Sequence, residues 1–196
     1  MKISPYIRNK LRKIGQHEVA HYLAARILGF EVGSVSLKVT DMGGGHEAGS
    51  VIKLYCGLSD VSEILTYLEN RIVVLYAGVL GESLENGEVD NDYALEQLNK
   101  GGKSDFDKVR ELLQVLNNIK SPNAEDEDDA NQSLDIINNE LWNKAAKLVG
   151  EEHAIITGLG NRIASEINSV GDEFTLSHEE IDQLPSIQER FHRVKT

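Results

Sequence analysis

Cysteine is almost absent: the 196 residues hold only Cys56, beside one tryptophan and three prolines. A single thiol closes no internal disulfide and builds no cysteine-based zinc cluster, so any metal must rest on histidine and carboxylate. Positive charge is scarce as well. Lys and Arg number 20 against 32 Asp and Glu, a net charge of −12, which argues against nucleic acid or an anionic membrane as the main partner. No unbroken apolar run approaches the roughly 18 residues that span a bilayer, and the N-terminus lacks the apolar core of a signal peptide. The expectation is a cytoplasmic protein with no membrane span in this chain. What is present is ordinary for a globular protein, 40% hydrophobic and 27% charged, and the length suits a single domain over 1–196.

Along the chain, helical patterns dominate. Ser4 and Pro5 read as the N-cap and first position of a helix that Gly29 can end, with Ile14, Ala20, Leu23, Ala24, Ile27 and Leu28 at helical spacing. From Val32 to Leu54 the period changes: "VGSVSLKVT" alternates, "DMGGGHEAG" is turn chemistry, and "SVIKLYC" is β-branched and aromatic. That predicts a hairpin with a long loop. Asp60 and Glu63 resemble a capping box opening a long buried helix over 61–84. A short helix in "DYALEQL" follows, then a longer one in "SDFDKVRELLQVLNNI", where Ser104 can cap and Asp105 sits in the first turn. The polar segment 121–132 reads as an acidic loop; its five carboxylates at 125–129 lack the EF-hand pattern, so solvation rather than calcium is expected. Helices over 134–149 and 151–168 come next, and Ser177 with Glu180 caps a short helix that Pro185 ends. The predicted fold is mainly α with a small β-ribbon, about six helices plus a hairpin.

The stretch "IGQHEVAHYLAARILG", residues 14–29, carries the chemistry. Residues four apart lie on one helix face, so His17 and His21 can reach one ion at the zinc–nitrogen distance of about 2.0–2.1 Å. Glu18 points about 100° away. It is poorly placed to ligate but well placed to take a proton from a water at the same metal, the arrangement that H-E-x-x-H hydrolases need. The alternative is a chance match on a solvated helix face. A third ligand is required, and spacing leaves it open. His46 sits in "GGGHEAG" and reads as a loop histidine; Asp105 and Asp107 also read as helix-start acids. Glu82, a carboxylate in an apolar helix, fits an acid hydrogen-bonded to a ligand histidine.

Three ordered stretches resemble the peptidase domain of the FtsH family of membrane-associated AAA proteases. "HEVAH" resembles the family's H-E-A-G-H; "AGVLGESLENGEV", 77–89, resembles G-G-R-A-A-E-E-L-x-F-G-E-V; "KGGKSDF", 100–106, resembles T-G-A-x-N-D-[FI]. The closing "FTLSHEEIDQL" is similar to the family's last segment, so the likeness runs loosely over 12–185. The resemblance implies an FtsH-peptidase-like fold with zinc as cofactor, and it puts the third ligand on Asp105, with Asp107 two residues too far. It also implies a zinc metalloendopeptidase in which Glu18 is the general base, acting on protein or peptide substrates and assembling as a homo-oligomer.

The departures are as specific. The chain begins 16 residues before His17, which leaves no room here for the family's ATPase module, so ATP dependence would need a separate ATPase subunit. "GGKS" at 101–104 is no P-loop, because Gln97 stands where its first glycine belongs. Residues 90–99 look inserted, and the acidic loop has no counterpart in the family. Two other function classes stay open: a zinc-binding module that no longer catalyses, acting in regulation or protein binding, and a hydrolase of small amides.

Overall fold

Ser4 accepts a hydrogen bond from the Ile7 N–H at 3.2 Å and Pro5 takes the first helical position, so α1 (Pro5–Ile27) starts with little backbone donor capacity to satisfy. It stops at Leu28, where Gly29 adopts φ +87°. The Phe30 N–H then reaches back to the Ala25 carbonyl, closing the helix end. The computed structural model describes residues 2–41 and 43–191. Between Ile14 and Ala25 every residue of α1 is buried except Glu18, so this helix runs through the middle of the fold.

Around α1 the chain lays down β1 (Glu31–Val39), β2 (His46–Lys53), α2 (Val61–Glu82), the two-residue strands β3 (Leu84–Glu85) and β4 (Glu88–Val89), α3 (Asn91–Leu98) and α4 (Lys103–Lys120). It continues with α5 (Glu127–Glu151), α6 (His153–Glu166), β5 (Glu173–Leu176), α7 (His178–Asp182) and α8 (Pro185–Phe191). The architecture is mainly α with a small antiparallel sheet. Its three strands run in the order β2-β1-β5, with Leu37 opposite Ala48 on one side and Phe174 on the other. One apolar core, from Ile7 through Leu23, Ile72, Leu80, Leu116 and Ile156 to Ile187, joins these elements.

Close helix packing places α1. At its crossing with α6, a Cβ on Gly15 would lie 3.1 Å from the Gly160 carbonyl oxygen, and one on Gly160 only 2.9 Å from the Gln16 backbone nitrogen. On the other flank α2 meets α1 through Gly81, where a Cβ would come within 2.4 Å of the Ala20 Cβ. By length and composition α2 alone among the described helices could cross a bilayer, although its apolar residues never run unbroken for 18. Of that stretch 61% is buried within the fold, as a core helix would be.

Several expectations are corrected. The second strand begins at His46 and ends at Lys53, so the histidine and "EAG" belong to the ladder rather than the turn, and Leu54, Tyr55 and Cys56 lie outside it. The turn closes earlier because Asp41 accepts from the Gly43 and Gly45 N–H groups at 2.7 and 3.0 Å. Ser104 does not cap α4; the N-cap lies two residues sooner, at Gly102, with no side-chain cap. Asp60 does accept from the Glu63 N–H, but Glu63 answers to Ser59 instead of closing the box. The acidic run is helix for most of its length: Asp126 caps α5 by accepting from the Asp129 N–H at 2.9 Å, and Glu127, Asp128 and Asp129 fill the first turn. Negative charge there complements the partial positive end of the helix, so the loop shrinks to 121–126. Pro185 does not follow the last helix but opens α8, at a position that requires no N–H. With α8 and β5 the described residues hold eight helices and a third sheet strand.

The glycine crossing gives a sign test. At an open helix site Gly→Ala adds about 1 kcal/mol through helix propensity. Gly160→Ala should instead lower the unfolding free energy by about 1–3 kcal/mol, the cost of overpacking, read as a shifted denaturant midpoint; a rise would mean α1 and α6 can part freely.

Candidate metal centre

His17 and His21 project from α1 toward α2, and each ring is held by its Nδ1. His21 Nδ1 lies 2.7 Å from the Val74 carbonyl oxygen. A carbonyl can only accept, so Nδ1 carries the hydrogen and the neutral ring turns a lone pair outward at Nε2. His17 Nδ1 donates to Glu82 Oε2 at 3.2 Å, and the Tyr93 hydroxyl donates to Oε1 of the same carboxylate at 3.3 Å. The two Nε2 atoms face each other at 3.0 Å.

Asp105 completes the group from α4. That helix is seated because Gly102 packs on α2, where a Cβ would come within 2.3 Å of Val79 Cγ1. From the first turn Asp105 Oδ2 reaches 3.1 Å from His21 Nε2 and 3.5 Å from His17 Nε2. Its other oxygen accepts from Lys108 Nζ at 3.1 Å. Among the described residues, His17, His21 and Asp105 form the one group of His, Cys, Asp or Glu whose ligand atoms all lie within 4.8 Å of one another.

This donor set fits a metal ion. Three acceptor atoms 3.0, 3.1 and 3.5 Å apart match the spacing of about 3.3–3.4 Å for donors around a tetrahedral ion at 2.0–2.1 Å. Lone pairs converging so closely repel unless a cation sits among them. Room for it is kept by Gly78, whose hypothetical Cβ would lie 2.4 Å from His21 Nε2 and 2.6 Å from His17 Nε2. Without a metal a proton must serve. Burial pulls the His17 pKa down, but its bonds to Asp105 and Glu82 outweigh this and push it up to about 10. Asp105, although burial opposes it, is held far below the usual carboxylate range by the two histidines, and Glu82 is likewise kept ionised by His17.

Glu18 stands in the wall of the cleft next to this group. The cleft is about 610 Å³ and is also lined by β2 from His46 to Ser50, by Arg71 and Leu75 of α2, and by Ser104 and Lys108. Glu18 and His17 also border a second recess of about 430 Å³ with Lys10, Lys13 and Tyr93. Successive side chains of a strand alternate faces, so five consecutive lining residues mean that β2 presents its edge. As the outer strand of its sheet, β2 has no strand partner on that side among the described residues.

The other candidates fall outside the donor group. His46 is exposed at the start of β2, with Nδ1 3.2 Å from the Gly44 carbonyl oxygen, and lines the cleft without joining the group. Asp107 is exposed and borders a separate recess with Arg110 and Glu111. Glu82 stands behind His17. Sequence reasoning missed Val74, Gly78, Lys108 and Tyr93. Lys108, three residues after Asp105, and the small residues Ala77, Gly78 and Gly81 on an apolar helix were visible signals; a backbone carbonyl acceptor leaves none. Compared with protein-family models and with curated proteins, the chain matches none.

Two outcomes follow. Gly78→Ala should weaken metal binding on the order of a hundredfold or more, a loss at least as large as that from removing a ligand's supporting partner, measured by competition with a chromogenic chelator. Retained affinity would show that the imidazoles do not hold the ion. Chelator-stripped protein should bind metal about tenfold more tightly per unit of pH between 7 and 9, because each ion displaces the His17 proton. By the same linkage, the stabilisation that this proton gives the stripped protein is complete below about 6.5, the ordinary histidine value, and is lost as pH rises through about 10. Affinity that does not change with pH would exclude protonated His17.

Proposed function

We propose that the protein is a zinc metallopeptidase, similar to the FtsH peptidase domain but carrying no ATPase in this chain, with His17, His21 and Asp105 as metal ligands and Glu18 as general base. The observation that carries this reading is the half-buried, cleft-lining position of Glu18, alone in an otherwise buried stretch of α1 and one residue from a ligand histidine. A purely structural metal site has no use for such a group, whereas hydrolysis requires it.

Zinc suits two imidazoles and a carboxylate, and when bound there it supplies a Lewis acid that polarises the scissile carbonyl and brings the pKa of water to about 7. The chain's own residues do the rest. Glu82 and the Val74 carbonyl fix the ring orientation of His17 and His21, so both Nε2 lone pairs stay on one point. Lys108 holds the far oxygen of Asp105 and leaves Oδ2 for the ion. Glu18 accepts the proton of the attacking water and delivers it to the leaving amine, breaking the C–N bond as the new C–O bond persists. The free edge of β2 offers main-chain donors and acceptors along the cleft, and an extended peptide adding there as a fourth strand would lie across the site.

Glu18→Gln should lower peptide cleavage by about 10²–10⁴-fold, the usual share of a general base, while the purified variant keeps its metal. Cleavage assays on unfolded proteins, beside elemental analysis, check both halves. Cleavage at the wild-type rate by the variant would remove Glu18 from the chemistry, and a wild-type protein that cleaves neither peptides nor small amides would leave a metal-binding module.

A further inference from the structure

We infer that Arg71 is a specificity anchor for an acidic side chain of the bound peptide, which makes acidic peptides the preferred substrate class. The inference rests on the peptidase reading and deepens it. Arg71 is half-buried in the wall of the cleft that holds the donor group, yet it makes no hydrogen bond and no ion pair among the described residues. A guanidinium does not shed its charge, and this one, attracted by Asp105 across the cleft but hydrogen-bonded to no side chain there, keeps its donors free for an incoming anion.

The chain is rich in acids, 32 of them, and the other cation of the cleft is matched: Lys108 binds Asp105. Of the cleft's acids, Glu47 pairs with Lys38 at 3.1 Å, Asp105 faces the histidines, and Glu18 belongs to the chemistry. Arg71 feels Asp105 through the cleft without a direct bond to it and sits next to Leu75, with Ile52 also in the wall. Its position along the cleft is set by α2. Arg71, Leu75 and Gly78 are spaced 4 and 3 residues apart and share one helix face, and Gly78 touches both imidazoles. Arg71 therefore starts two turns away, about 10 Å along the axis. An extended strand rises about 3.3 Å per residue, so the anchored side chain falls within about three residues of the scissile bond.

The test uses the full chain as the zinc-treated Glu18→Gln variant, which binds without cutting. Fluorescent decapeptides with a single Glu moved through every position are compared with their Gln counterparts by anisotropy. At one position or two adjacent ones, Glu should bind about ten- to a hundredfold more tightly than Gln. Adding Arg71→Gln should erase that difference and leave the Gln peptides unchanged, and Arg71→Glu should transfer the preference to Lys. No preference at any position, or a preference that survives Arg71→Gln, overturns the anchor. Cleavage of the same peptides by the wild-type protein is scored apart, so a failed peptidase reading appears as intact peptides whatever the binding shows.

Discussion

Two imidazole nitrogens and a carboxylate oxygen converge within 3.5 Å of one another, and this arrangement of lone pairs is stable only around a positive charge. Much of the fold serves to hold it. The rings cannot turn away because each Nδ1 is bonded from behind, one by a backbone carbonyl of α2 and one by Glu82 on the same helix. α2 can approach so closely because Gly78 and Gly81 carry no side chain. Asp105 arrives from a helix start, where its charge is favoured by the dipole before any metal is considered. Desolvating two histidines and an acid costs free energy that a cation must offset, and a divalent ion does so better than the single proton of His17.

The surroundings divide the labour by exposure. His17, Glu18 and His21 all line the cleft, but of these only Glu18 is not buried, so in the proposed reading one helix would supply ligands from its covered face and a proton acceptor from the margin. The sheet contributes an edge instead of a face. Because β1 lies in the middle, paired to β2 and β5, the outer side of β2 is left to border the cleft. The proposed peptidase thus has a reaction centre, a strand edge for main-chain pairing and an arginine for a side chain, arranged around one groove. In a chain with a net charge of −12, the proposed Arg71 anchor would favour anionic side chains locally.

Local chemistry wrote much of this plainly. Ser4 and Pro5 mark the start of α1 and Gly29 its end, since capping and left-handed backbone depend on residues within a few positions. The capping box of Ser177 and Glu180 is of the same kind, and the four-residue spacing of the histidines put them on one face. Where two local signals competed, the reading went astray. The acidic run 125–129 has a loop's composition but also suits a helix start, and Pro185 can follow one helix or open another. β5 shows only two apolar residues in its four, too few to reveal a period.

What the sequence by itself determined is therefore the pair His17 and His21 with Glu18 beside them, the mainly helical class and the hairpin, all products of spacing over less than two turns or two strands. Only the tertiary structure decided that Asp105 lies within 3.1 Å of His21 while Asp107 and His46 do not join. It alone set Val74 behind one ring, Glu82 behind the other and Arg71 in the cleft wall with no hydrogen bond among the described residues. Those relations join residues 53 to 84 positions apart. They depend on how closely α1, α2 and α4 approach, a property of packed volumes and missing side chains that no periodicity in a single chain encodes.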